Sequence, residues 1–266
     1  MLAFMNKRRS TWLLVTLTVL WCSIPIPAPA LELLTNNGFE SGVPLPGWTI
    51  FNQAGSSGTF IVTNALSLPW SSPWTSTVGP AAGSWYAVSD GNFNGAHALY
   101  KNFTVPGPAI SVFLDFDMFV NNWGSVFVVD PAGLDYNAGI SPPPSTWNQH
   151  ARVDILAAGS NPLSTATGLL ANYYLGAPTV IGVQPYPYTN YHFDITSLVG
   201  GGAGTYMLRF ANVENFYFLN LGVDNVSVDF QPVPLPIAFL LLGSGLIRLV
   251  GWKNVRRGYT KLRSNG

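Results

Sequence analysis

The stretch Ile110-Ser-Val-Phe-Leu-Asp-Phe-Asp-Met118 sets the terms for this chain. Val112, Leu114, Phe116 and Met118 fall on one side of an extended backbone, and Asp115 and Asp117 on the other. That is the two-residue period of a strand with one buried and one wet face. Helical periodicity is nearly absent between residues 31 and 231. Short strand-like runs recur there instead, between turns rich in Gly, Pro, Asn and Ser. They cover residues 48–51, 59–63, 84–89, 98–105, 109–120, 125–129, 151–156, 191–195, 205–211 and 222–230. Pro142-Pro-Pro144 breaks any strand there and reads as a loop. Ten or so strands without helices predict an all-β fold, two antiparallel sheets packed as a β-sandwich of jelly-roll type. The two hundred or so residues involved are ample for one core.

Both flanks differ from this domain. Lys7, Arg8 and Arg9 precede an apolar stretch from Trp12 to Ile24, followed by Ala28-Pro29-Ala30. A charged start, an apolar middle and an A-x-A end predict a signal peptide helix over residues 1–30, cut after Ala30; an uncleaved anchor is the alternative. The only cysteine, Cys22, lies inside it, so the mature chain carries no disulfide and no thiol chemistry. At the other end, residues 232–266 hold a proline spacer, an apolar run from Ile237 to Trp252 and a basic tail. As a helix, 237–252 is ~24 Å long, a short transmembrane span. Arg248 sits near its end, where a long stem reaches the interface. Lys253, Arg256 and Arg257 form the membrane stop and stay cytoplasmic by the positive-inside rule. A buried C-terminal helix is the alternative, but this run lacks the polar face such a helix needs.

The order of these parts carries a resemblance. Val233-Pro234-Leu235-Pro236, a run containing Leu-Leu-Gly-Ser-Gly-Leu, then Trp-Lys and Arg-Arg resembles the PEP-CTERM sorting signal of Gram-negative bacteria, in its Val-Pro-Leu-Pro form. The resemblance implies recognition by exosortase after passage through the export machinery, an inner-membrane intermediate, and delivery to the cell surface or extracellular matrix. Leu235, where the commonest form has Glu, and Arg248 inside the apolar run depart from the pattern.

A second resemblance concerns the domain. Asn36-Asn-Gly-Phe-Glu40 with Gly47-Trp48 at its start, and Leu221-Gly-Val-Asp-Asn-Val-Ser-Val228 at its end, resemble the galactose-binding-like fold of many carbohydrate-binding modules. The resemblance implies first and last strands side by side and a structural calcium held by Glu40 and Asp224. Two carboxylates with backbone carbonyls suit Ca²⁺; the alternative is that Glu40 caps a turn and Asp224 takes backbone hydrogen bonds.

All twelve acidic residues and only three basic ones, Lys101, Arg152 and Arg209, lie between residues 31 and 231, a formal charge of −9. Such a domain repels nucleic acid and suits neutral polar partners or cations. Trp70, Trp74, Trp123 and Trp147 stand in loop-like stretches and are candidate platforms for sugar rings, or plugs for the ends of the sandwich. Trp48, Trp85 and Phe116 read as core. His97, His150 and His192 are dispersed and have no metal-binding spacing. Asp115 and Asp117 share a strand face ~6.6 Å apart, in the range of an acid/base pair, but with no histidine or third acid nearby they read as a solvated strand face. The expectation is a non-enzymatic, exported polysaccharide-binding or matrix protein. The alternatives are a purely structural surface protein and a glycoside-acting enzyme.

Overall fold

The computed structural model of the chain describes residues 29–43, 45–71, 75–124, 133–138, 147–176, 178 and 184–234. Among them, strands β1 (Leu31–Glu32), β2 (Thr49–Asn52), β3 (Thr59–Thr63), β4 (Tyr86–Asp90), β5 (Gly95–Val105) and β6 (Ala109–Asn122) come first. Strands β7 (His150–Ala157), β8 (Leu169–Gly176), β9 (Thr189–Asp194), β10 (Gly204–Glu214) and β11 (Leu219–Pro232) follow, with one short helix, α1 (Thr196–Val199). One sheet runs β3-β4-β11-β6-β9, with β1 also pairing β11, and the other runs β2-β5-β10-β7-β8. Every pairing is antiparallel. Residues Ala30–Pro232 make one compact unit. The domain is a two-sheet β-sandwich, and its first and last strands are neighbours, Leu31 opposite Phe230.

The core follows from alternation. Val112, Leu114, Phe116 and Met118 of β6 face inward beside Val223, Val228 and Phe230 of β11. Across the gap stand Leu99 and Phe103 of β5, Val153 and Ile155 of β7, and Leu208 and Phe210 of β10. Phe116 meets Phe210 edge-on at 5.2 Å between ring centroids, joining the two sheets at their centre. Each such buried side chain contributes roughly 1.5–3 kcal/mol of transfer free energy.

β11 changes parity partway. Val223 and Val226 both reach the core although they stand an odd number of positions apart, because the register with β6 slips between Asp224 and Ser227. Asn225 takes φ 49° at this bulge, a left-handed conformation that asparagine tolerates. The slip keeps the apolar residues on both sides of it facing inward.

Both outer faces carry further packing. Tyr86, Val88, Phe119 and Leu68 form a small cluster on the β4–β11–β6 side, with Gly222 beneath the Phe119 ring, where a Cβ would overlap it. On the other sheet, Arg209 is fully buried: Nε donates to Asp154 Oδ2 at 3.1 Å, and Nη1 donates to the Pro162 and Ser164 carbonyls, each at 2.7 Å. Arg152 grips the same carboxylate through Nε and Nη2, both at 2.8 Å. Burial pushes the Asp154 carboxyl up, but the two guanidiniums outweigh it and hold the group below the ordinary carboxylate range.

Two strands, β1 and β8, have no counterpart in the sequence reading. β1 is only two residues long, and the stretch Leu169-Leu-Ala-Asn-Tyr-Tyr-Leu-Gly176 does not alternate; it pairs β7 through register shifts. Trp48 and Phe116 are core, whereas Trp85 packs partly exposed against it. The predicted strand 125–129 and the segments 1–28 and 235–266, including the apolar run 237–252, lie outside the described residues. Among the described residues no helix is long and apolar enough to cross a membrane.

Asp154→Ala leaves Arg152 and Arg209 buried without a counter-charge. It is expected to cost about 3–5 kcal/mol in urea denaturation, and adding Arg209→Met should recover part of that loss.

Candidate functional site

At one end of the sandwich the inward positions stop being apolar. On β10 the core residues Leu208 and Phe210 are followed, at the same parity, by Asn212 and Glu214. Asn122 ends β6 and His97 opens the inward row of β5, both fully buried. Gln149 donates to Asn122 Oδ1 at 3.2 Å and to the Tyr217 carbonyl at 2.8 Å. Both amide atoms of buried Asn212 lack a hydrogen-bond partner among the described residues.

Two of the crossings between the sheets at this end run side by side. Residues 91–94 lead from β4 to β5, and 215–218 lead from β10 to β11. The two corners lie side by side because Glu214 pairs with Gly95. Between them is a cavity of about 170 Å³, lined by Asn92, Phe93 and Asn94 on one corner and by Glu214, Phe216, Tyr217 and Phe218 on the other. Phe93 and Tyr217 are strongly exposed at its rim, 76% and 52%. The first corner is braced by Ser57, whose N–H donates to the Asn94 carbonyl at 3.0 Å. Ser57 Oγ also donates to Asn92 Oδ1 at 2.7 Å. His97 Nε2 donates to the Ser57 carbonyl at 3.1 Å, and burial drops this imidazole to about 4, so it is neutral around pH 7.

Glu214 is 3% exposed. Its Oε2 accepts the Leu219 N–H at 2.6 Å, closing the corner, and Oε1 has no hydrogen bond among the described residues. A Cβ on Gly91 would stand 3.3 Å from Oε1, so the bare glycine helps leave that oxygen clear. Burial pushes the Glu214 carboxyl well above the usual range; the Leu219 N–H opposes this and the nearby charge of Asp90 adds to it. Asp90 does not line the cavity. Its oxygens accept from the Trp70 N–H at 2.8 Å, the Ser71 N–H at 3.2 Å and the Ser71 hydroxyl at 2.5 Å.

The tryptophans expected to carry sugars divide. Trp147 packs on Phe216, ring centroids 4.7 Å apart, and the backbone N–H of Trp123 donates to the Phe218 carbonyl at 2.9 Å. Both are half-buried supports of the second corner. Trp70 is 41% exposed on the loop that Asp90 holds, and Trp74 lies outside the described residues. The sequence reading did not single out the residues that line the cavity. The available signal was a pair of turn segments, Asn92-Phe-Asn94 and Asn215-Phe-Tyr-Phe218, that join amides to aromatics, and an acid on core parity at the end of β10.

Glu40 and Asp224 do converge, both flanking Gly38. Glu40 accepts the N–H groups of Ser84 and Trp85 at 3.0 and 3.1 Å. Asp224 accepts those of Ala81 at 2.8 Å, Ala82 at 3.1 Å and Asn225 at 2.8 Å. They strap one turn, 81–85, across the start and end of the domain. Burial, with the charge of Glu40 adding to it, pushes Asp224 up to about 6. Among the described residues no group of three His, Cys, Asp or Glu side chains is placed to hold a metal. These residues fit a calcium ion only as two carboxylates completed by amide or backbone oxygens.

Asp115 requires a correction. His192 on β9 stands opposite it and places Nδ1 2.6 Å from Asp115 Oδ1, with its ring stacked on Phe113 at 4.9 Å. Cross-strand pairing supplies the histidine that sequence distance hid. Of the tail motif, Val233 and Pro234 are described and Val233 is half exposed; Leu235, Pro236, Lys253, Arg256 and Arg257 lie outside the described residues.

No protein family matches the chain, and no curated protein does. Among solved structures it is similar to TmCBM61 in complex with β-1,4-galactotriose, at 12% identity over 74% of this chain and 97% of that one, TM-score 0.42. It is similar to the enzymatically active domain of bacteriophage CBA120 tailspike protein 4, at 12% identity over 75% of this chain and 21% of that one, TM-score 0.43. A third is the stig cyclase Fisc from Fischerella sp. TAU, at 14% identity over 77% of this chain and 100% of that one, TM-score 0.43. At these identities and scores no ligand or activity passes to this chain.

Proposed function

We propose that this is an exported, non-catalytic glycan-binding domain of the galactose-binding-like class that takes neutral polysaccharide at the corner cavity. The observation that carries the reading is the lining: aromatic rings beside amide groups, with one acid. Rings offer apolar faces to the C–H side of a pyranose, and amides match its hydroxyls. Hydrolysis of a glycoside needs two carboxyl groups flanking the bond, and the second acid nearby, Asp90, has its oxygens turned to Trp70 and Ser71. The excess of acids over bases in the domain disfavours anionic polymers and nucleic acid.

On a glycan array, the full-length chain is expected to retain neutral hexose polymers. Phe93→Ala or Tyr217→Ala should weaken that binding about tenfold or more, the equivalent of ~1.4 kcal/mol, with unchanged melting. Retention of no glycan would favour a purely structural surface protein.

The destination rests on the sequence order of Pro spacer, apolar run and basic stop. In this reading exosortase recognises Val233-Pro234-Leu235-Pro236 in the inner membrane and the domain reaches the cell surface or matrix. A reporter fused after residue 231 is expected outside the cytosol; a cytosolic reporter removes the assignment.

Calcium enters as a tie between the ends of the domain, through Glu40 and Asp224. Asp224 favours its protonated form in the fold, so without a cation its contribution is full below about 3.8 and is lost as pH rises through about 6. A bound calcium needs the carboxylate and reverses this trend. Calcium should therefore raise the melting temperature at pH 7.5 but not at pH 4.5, and Asp224→Asn should abolish the rise. Melting at pH 7.5 that is indifferent to EGTA would remove the ion.

A further inference from the structure

The acid in the cavity has an unusual setting. Glu214 projects between the sheets rather than into water, and of its two oxygens one is engaged by the Leu219 N–H while Oε1 stays clear beside Gly91. Titratable groups close to it in the sheets are Asp90 at the end of β4, His97 on β5 and His150 on β7, with Tyr217 on its own corner. Asp90 repels a second negative charge, and His97 is neutral around pH 7. Among the described residues no Lys or Arg lines the cavity. A carboxyl buried without a cation and with a single N–H donor keeps its proton. With Oε2 already accepting, that proton sits on Oε1, the oxygen without a hydrogen bond among the described residues.

We propose that Glu214 is the specificity-determining group of this cavity: as a neutral acid it donates its Oε1 proton in a hydrogen bond to a ring or glycosidic oxygen of an uncharged sugar. No covalent bond changes, and the proton stays on Glu214. The inference rests on the glycan reading and adds to it. Ionised Glu214 loses its donor and faces an ether oxygen that can only accept, so binding is favoured by acid. An anionic sugar would bring a second charge beside Asp90 into a cavity without a cation, so uronic acid polymers are turned away.

The test uses the full-length chain, neutral hexaoses of glucose, galactose and mannose, and an oligogalacturonate, titrated calorimetrically from pH 5 to pH 9. For at least one neutral hexaose, the dissociation constant is expected to rise about tenfold or more across that range. Glu214→Gln keeps a neutral donor in the same shape. It should bind within about threefold of the wild type at pH 5 and show little dependence on pH. Thermal melting of both chains at each pH separates loss of the site from loss of the fold. A pH slope in E214Q equal to that of the wild type overturns the proposal alone, as does oligogalacturonate binding as well as the neutral sugars. Binding of no hexaose by the wild type at pH 5 overturns the glycan reading and the proposal with it.

Discussion

The hydrogen bond from the Leu219 N–H to the buried carboxyl of Glu214 closes the corner on which the cavity end of the sandwich depends. β10 belongs to one sheet and β11 to the other, so the four residues between them must turn the chain through the thickness of the sandwich. A backbone turn of that kind leaves N–H groups facing inward, and each buried one must find an acceptor. Glu214 supplies it from the last position of β10. The same corner then carries Phe216, Tyr217 and Phe218 outward as one wall of the cavity. The pairing of Glu214 with Gly95 sets the second crossing alongside as the other wall.

The buried acids of this domain have been solved in two opposite ways. Asp154 has two guanidiniums and an amide around it, stays charged, and locks three strands under the segment that holds Pro162 and Ser164. Glu214 has no cation among its described hydrogen bonds and is pushed toward the neutral form. Charge compensation in the first case makes a strut, and exposing that carboxylate would serve nothing. In the second, lack of compensation makes a proton donor at the edge of a cavity, a use that tolerates some loss of stability. Glu40 and Asp224 stand between these extremes, with backbone N–H groups but no cationic side chain among their described hydrogen bonds.

Much of the fold was legible because its cause is local. In Ile110–Met118 the alternation placed Val112, Leu114, Phe116 and Met118 in the core, as found. β8 escaped because Leu169–Gly176 is an edge strand whose side chains are only half covered, so no strict alternation was selected there. The bulge at Asn225 was written in the sequence as a break of parity between Val223 and Val226, visible once one looks for it. Trp123 and Trp147 support the second corner from behind, while the rim of the cavity belongs to Phe93 and Tyr217.

The sequence by itself determined most of the strand-forming stretches, which side of a strand such as β6 is apolar, and how acidic the middle of the chain is. These follow from the two-residue period of an extended backbone and from counting charges. Only the tertiary structure decided that Asn92 and Tyr217, more than a hundred residues apart, share one cavity, that His192 meets Asp115, and that Glu214 ends up inside. Long-range contacts of this kind come from how two twisted sheets close on each other. Neither that closure nor the desolvation it imposes on a carboxyl is encoded in any one stretch of residues.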